Sequence, residues 1–280
     1  MVDLEDEGHP FQRSVYRQPP LVAETIPAFR ISRSVAEDLL AGSGYTLENL
    51  SLRFQAVPLS TTVRISIDVE EEEIEARNVL GLLPGSDLEV GAKVIVIGAH
   101  YDHVGSDLGE AIIRGANDNA SGTAVLLEIA LLWQEQGRRP ARSVLFAAWR
   151  AEDIDSSGVA HYLEHPAIPI TQTVGVIALD SVGAGKGSRL LYTAPEREIP
   201  LAWPIETGAS QLGRRVRYMD DEDGWQTLFG AAGIPTVRFT WERAEDDAYL
   251  PSDTVDAINV DKLASSGEVL ILTASWLAGR

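Results

Sequence analysis

From residue 94 to residue 122 the chain reads VIVIGAHYDHVG, then nine residues, then GANDNASG. The chemistry in this stretch is carried by a few side chains. His100 and Asp102 stand one residue apart, just after the unbroken apolar run 94–97. Asp118 and Asn119 lie among small residues, just ahead of an apolar helical stretch. An unbroken apolar run marks a strand buried on both faces. Open α/β sheets build their sites at the carboxyl ends of such strands. A neutral imidazole and a carboxylate converging there suit zinc, and Asp102 is placed to orient His100 from behind. Other acids occupy comparable places. Glu152 and Asp153 are adjacent directly after the apolar run 144–149, and Asp180 follows the run 174–179. Adjacent acids at a strand end can send one carboxylate to a metal and the other to a water.

The elements that must position these residues follow from periodicity. Residues 63–69 alternate cleanly, with Val63, Ile65, Ile67 and Val69 on one face, as a half-buried strand requires. ARNVLGLLPG reads as a second strand ending in a Pro-Gly turn. Residues 121–136 read as a helix with Val125, Leu126, Ile129, Leu132 and Trp133 inward, stopped by Gly137. Further strands are expected at 94–97, 144–149, 174–179, 189–193, 215–219 and 235–240, and helices at 157–164 and 261–277. Strands alternating with helices predict a three-layer α/β/α sandwich around a mixed, mostly parallel sheet. Ahead of it, residues 28–31 read as a short strand. Ser34 reads as the N-cap of an amphipathic helix that stops at Gly42. The chain is expected to divide at residue 58, giving an extension over 1–58 and a larger domain over 59–280.

Composition narrows the classes of function. Hydrophobic residues make up 45% of the 280, as in a globular protein. No apolar run reaches the ~18 residues of a membrane span. The chain opens MVDLEDEGHP, which is acidic and expected to be disordered. It lacks the basic and apolar regions of a signal peptide, and the compartment is left open. There is no cysteine, so disulfides and thiolate ligands are excluded. The formal charge is −19, with only three lysines, which argues against nucleic acid as a partner. The acidic run 70–73 is expected to be a solvated turn or strand end.

The His-x-Asp segment and GANDNASG together resemble the co-catalytic zinc exopeptidases, which include bacterial leucyl aminopeptidases, glutamate carboxypeptidase and glutaminyl cyclase. The resemblance runs from about residue 63 to the C-terminus. It implies that His100, Asp118 and Asp180 hold a first zinc, with Asp118 bridging to a second metal. It implies that Glu152 is the general base and that Asp153 is a ligand of the second metal. His161 matches a His-Tyr pair that does not ligate, and is expected to be structural. Residues 22–58 resemble the tail of a protease-associated domain, which would make this sequence part of a larger protein; a private extension is the other reading.

The chain departs from that family late in its sequence. A Tyr-His pair before Thr-Pro-x-Asp-Thr is replaced by DDAYLPSDT, so the metal-binding histidine becomes Tyr249 or, with one deletion, Leu250. The five histidines are His9, His100, His103, His161 and His165, and none can be aligned there. Tyr249 is then expected to donate to the oxyanion. Asp246 or Asp247 could take the lost place, giving an all-oxygen second site that favours Mn or Mg. Gly224, Trp225 and Gln226 stand where the family often has Ser-Asp-His. The second metal is expected to be absent or weakly held. The resemblance implies a metal-dependent hydrolase that cleaves peptide bonds as an aminopeptidase, with a peptide or aminoacyl substrate. The net negative charge suits a free α-amino group. Two other readings stand beside it: an inactive binding or scaffold relative, and a mono-metal enzyme of the glutaminyl cyclase type.

Overall fold

The computed structural model of the chain describes residues 31–51, 59–64, 75–106, 111–152, 156–194, 201–220, 224–244, 246 and 248–279. These fall into two compact units that meet in sequence at residues 74 and 75. The expected strand residues 28–30 and 65–69 and the acidic run 70–73 lie outside the described residues, as do Asp153 and Asp247. Val63 and Arg64 are described and belong to no strand.

The first unit contains helix α1 (Arg33–Leu40) and helix α2 (Leu47–Ser51). Ala36, Leu40 and Leu47 are buried together, with Ile31 and Leu50 against them. The cap of α1 is Ser32 and not the expected Ser34. Ser32 has extended backbone, and its Oγ accepts from the Val35 amide at 3.4 Å. An N-cap must be non-helical while reaching an amide three residues on, and Ser34 already lies inside the first turn.

The second unit is built on one seven-stranded sheet. In chain order its elements begin with β1 (Val79–Leu83) and β2 (Val94–His100), then the small hairpin strands β3 (Gly105–Ser106) and β4 (Ile112–Ile113). Helix α3 (Gly122–Glu135), β5 (Ser143–Trp149), α4 (Ser157–Glu164) and β6 (Thr173–Leu179) follow. The remainder is β7 (Leu190–Thr193), α5 (Ala202–Gln211), β8 (Val216–Met219), α6 (Gln226–Ala231), β9 (Thr236–Trp241) and α7 (Val260–Ala278). The large sheet runs β1-β5-β2-β6-β9-β7-β8. The four central strands, β5 to β9, are parallel, whereas β1 and β7 run antiparallel to β5 and β9. Buried residues of α3, α5 and α7 pack with Ile95, Ile97 and Ala99 on one face. Buried residues of α4 and α6 pack with Val94 and Val96 on the other. This is the expected three-layer sandwich with a mixed, mostly parallel sheet. Helices α2, α5 and α6 were not foreseen. In α5 a proline and a glycine in AWPIETGASQ hide the helical period, and α6 is only six residues long. Helix α3 ends as expected at Gly137. The Gly137 and Arg138 amides bond back to Gln134 and Trp133, with Gly137 at φ +58°.

One short segment places the site. Residues Ala116–Ser121 form a wide turn that leads into α3, with Asp118 and Asn119 in non-helical conformations and a cis peptide between them. The turn is buried, so its amides need partners inside the protein. The Asp253 carboxylate supplies two, accepting from Asn117 N at 2.7 Å and Asp118 N at 3.0 Å. Asn119 donates to Leu179 O at 2.7 Å and accepts from Ser181 N at 3.2 Å. Ser121 Oγ accepts from Val182 N at 3.0 Å, and Asn117 Oδ1 from Gly183 N at 2.9 Å. The polar residues of NDNAS thus staple the turn to the chain that leaves β6.

Two outcomes are expected from these contacts. Asp253→Ala leaves two buried amides without their acceptor and should cost about 1–3 kcal/mol in urea unfolding; an unchanged midpoint would show that water replaces the carboxylate freely. Gly98→Ala puts a Cβ 2.5 Å from Trp149 Nε1 and 2.9 Å from the Trp225 ring, inside the central strand. Overpacking there should lower stability by about 1–3 kcal/mol, and a neutral result would mean the two tryptophans can separate.

Candidate metal centre

His100 is the last residue of β2 and is buried. Its Nδ1 lies 3.1 Å from the backbone carbonyl of Asp102. A carbonyl can only accept, so Nδ1 carries the proton and Nε2 is left as the donor atom for a metal. Nε2 faces Asp118 Oδ1 at 3.1 Å and Asp180 Oδ1 at 3.8 Å. One ligand atom from each of His100, Asp118 and Asp180 lies within 4.8 Å of the others. One imidazole nitrogen and two carboxylate oxygens are a zinc donor set with room for a further ligand. The resemblance assigned these three residues to one ion, and the structure brings them together.

Electrostatics agree with a site that is built for a cation. Burial disfavours the His100 imidazolium, yet the Asp118 and Asp180 carboxylates overcome this and raise its pKa well above the ordinary value. Burial raises the Asp118 carboxyl, with Asp180 adding to the rise and His100 opposing it. Burial also acts to raise Asp180, but His100 and Arg238 outweigh it and hold that carboxyl well below the usual range. Arg238 is only 3% exposed and sits within β9, with Nη1 3.1 Å from Asp180 Oδ2. Asp180 thus offers one oxygen towards His100 and gives the other to a guanidinium.

Asp102 acts at two points. Its carbonyl orients His100, and its carboxylate Oδ2 accepts from the Ala151 amide at 2.6 Å. The orientation expected from Asp102 therefore runs through the main chain, while the side chain fixes the turn after β5. Ala151 sits at φ +60°, a conformation that L residues seldom adopt. The next residue is Glu152, whose Oε1 accepts from Ser156 Oγ at 2.9 Å. Asp102 therefore ties the metal-facing end of β2 to the turn that carries Glu152.

Tyr249 lies parallel to the His103 ring, with centroids 5.6 Å apart and 14° between planes. Leu250 is half-buried. Asp246 pairs with Arg243 at 2.7 Å and Lys186 at 3.3 Å, so it is engaged by two cations. Trp225 is in the core against Trp149 and Phe229, and Gln226 is buried beside it. His161 is exposed, stacked on His165 one turn away at 4.7 Å, on the surface of α4.

Three residues of the site were not assigned from sequence. Arg238 had a signal, since a lone arginine in the strand TVRFTW needs a carboxylate partner if the strand is buried. Asp253 stood in a quoted motif without a role. His103 had no more than its place three residues after His100.

The comparisons with known proteins agree with this geometry. The family model described as "Peptidase family M28" matches residues 78–274. The aminopeptidase YwaD of Bacillus subtilis (strain 168) is 25% identical over 205 residues, covering 70% of this chain and 43% of the relative. A glutamate carboxypeptidase 2 homolog of Caenorhabditis elegans is 30% identical over 212 residues, covering 70% of this chain and 26% of the relative. The chain thus spans less than half the length of these relatives. Among solved structures, BSAP, a zinc aminopeptidase from Bacillus subtilis, shares the fold with a TM-score of 0.64 at 23% identity, over 72% of this chain and 50% of that one. An aminopeptidase from Aneurinibacillus sp. strain AM-1 gives a TM-score of 0.63 at 26% identity, over 72% and 48%. With the family model covering most of the sheet and all three metal-facing residues, the chain belongs to peptidase family M28.

Proposed function

We propose that this chain carries the catalytic domain of a zinc-dependent aminopeptidase acting at free peptide N-termini. The observation that carries the reading is the convergence of His100, Asp118 and Asp180, with ligand atoms within 4.8 Å of one another. Glu152 lies on the turn that follows β5, the parallel neighbour of β2. Zinc held by the three residues would polarise the scissile carbonyl and lower the pKa of the attacking water.

The chain's own residues do the rest. Glu152 takes the proton of the attacking water and passes it to the leaving amine. Ser156 fixes one oxygen of that carboxylate, at 2.9 Å. Asp102 holds the base turn and the zinc-facing histidine in one geometry. His100 and Arg238 together keep Asp180 ionised, so that it can bind a cation. Tyr249, 40% exposed and stacked on His103, would donate its hydroxyl to a developing oxyanion. The net charge of −19 favours substrates with a free ammonium group. The names of the aminopeptidase relatives support the exopeptidase reading. Zinc belongs to the first centre. A second cation on the far side of Asp118 would be held more weakly.

The test is a panel of aminoacyl-nitroanilides, run on the full chain with Zn, Mn or Co supplied. Hydrolysis is expected. Its absence with every metal would replace this reading with that of a non-enzymatic binding relative. Glu152→Gln should lower turnover by about 10²–10⁴-fold while zinc stoichiometry stays as in the parent, because the amide keeps the shape and cannot accept the proton. Parent-like turnover in that variant would move the base elsewhere. Stripping the metal should also lower the melting temperature, since zinc at 100 times its Kd adds about 2.7 kcal/mol to the folded state. Identical melting curves with and without zinc would speak against a site formed only on folding.

A further inference from the structure

We propose that His103 supplies the imidazole of a second metal site, built on the oxygen of Asp118 that His100 does not face. The inference rests on the metallopeptidase reading above and names a ligand that the family resemblance does not assign. The Asp118 carboxylate stands between two imidazoles. Oδ1 is 3.1 Å from His100 Nε2, and Oδ2 is 3.8 Å from His103 Nδ1.

The two histidines are set up alike. His103 Nε2 lies 3.0 Å from the backbone carbonyl of Ala248. That carbonyl only accepts, so the proton sits on Nε2 and the Nδ1 lone pair faces Asp118. A backbone carbonyl holding one ring nitrogen while the other faces a carboxylate is the usual setting of a metal-binding histidine. The 3.8 Å separation is too long for a hydrogen bond. Two metal bonds of about 2.0–2.1 Å can span it.

The ring is held in place on its other sides. The His103 side chain is 7% exposed and stacks on Tyr249. It also lies against the backbone of Gly115. That glycine has φ +64°, and a Cβ there would come within 2.7 Å of His103 Cγ and 2.8 Å of its Cβ. Only glycine leaves room for the imidazole in this position. The imidazole missing from the late loop is therefore replaced from the end of β2, and Tyr249 serves as the surface against which the new ligand packs. A nitrogen-bearing site of this kind takes zinc or cobalt in preference to magnesium. Its remaining positions would be open to water and substrate.

The experiment is a cobalt titration of the metal-freed full chain by calorimetry, without substrate. Two equivalents are expected, the second weaker than the first. His103→Phe keeps a ring against Tyr249 and removes both nitrogens. It should weaken the second equivalent by more than about tenfold, because loss of even a supporting partner costs 10–100-fold, and should leave the first unchanged. A second equivalent that binds the variant as tightly as the parent overturns the proposal, and so does a parent that binds only one. A measurement without mutation stands beside it. X-ray absorption at the cobalt edge of the two-equivalent parent should count about one imidazole per cobalt, one ring on each ion; a count of about one half overturns the proposal. A result against His103 leaves the first equivalent and Glu152 untouched. Failure to bind the first equivalent would instead overturn the proposed function.

Discussion

The structure depends on keeping a carboxylate pair, Asp118 and Asp180, next to a buried histidine. Asp118 is 7% exposed, and burying it without partners would be prohibitive. The fold meets this cost by surrounding the pair with positive or donating groups. His100 stands between the two acids, and Arg238 reaches across from β9 to the second. The amides around Asp118 are answered by Asp253, so the turn can be buried with its main chain satisfied. A divalent cation held by His100, Asp118 and Asp180 would add the positive charge that two neighbouring carboxylates call for. The sequence thus holds three candidate ligands, His100, Asp118 and Asp180, at one point of the fold.

The sheet explains how residues so distant in sequence share that point. His100 ends, and Asp180 follows, neighbouring parallel strands whose apolar runs are buried on both faces. Parallel strands bring their carboxyl ends to the same edge, and that edge is where the turn of residues 116–121 arrives from β4. Asp102 then spans from β2 to the turn after β5. The spacing between His100 and the turn that carries Glu152 is therefore set by strand register, which a seven-stranded sheet does not readily change.

The first centre was legible because its residues sit where periodicity stops: each ligand follows an apolar run or precedes a helix. The sandwich was legible for the same reason. What stayed hidden required contacts that no local pattern encodes. His103 meets Ala248 across 145 residues of sequence, and nothing in YDHVG announces that partner. Asp253 serves two amides from 135 and 136 residues away. Arg238 could have been suspected from its strand, yet which acid it answers depends on the order of strands in the sheet. The choice of Ser32 over Ser34 as a cap turned on a two-residue difference in where the backbone leaves its extended form. Helix α5 was missed because propensity there is overridden by packing of Ile205 and Ala209 into the core.

The stretch from Ala248 to Asp253 touches the centre at both ends. Its first carbonyl holds His103, and its last carboxylate holds the amides of the Asp118 turn. A loop attached in this way shares a thermodynamic linkage with whatever Asp118 binds. If occupancy of the centre restrains the loop, then restraint of the loop must raise affinity at the centre by the same factor. The loop and whatever Asp118 binds are in that sense one cooperative unit. Substitutions at exposed loop positions such as Tyr249 would then tune metal retention without any ligand being changed.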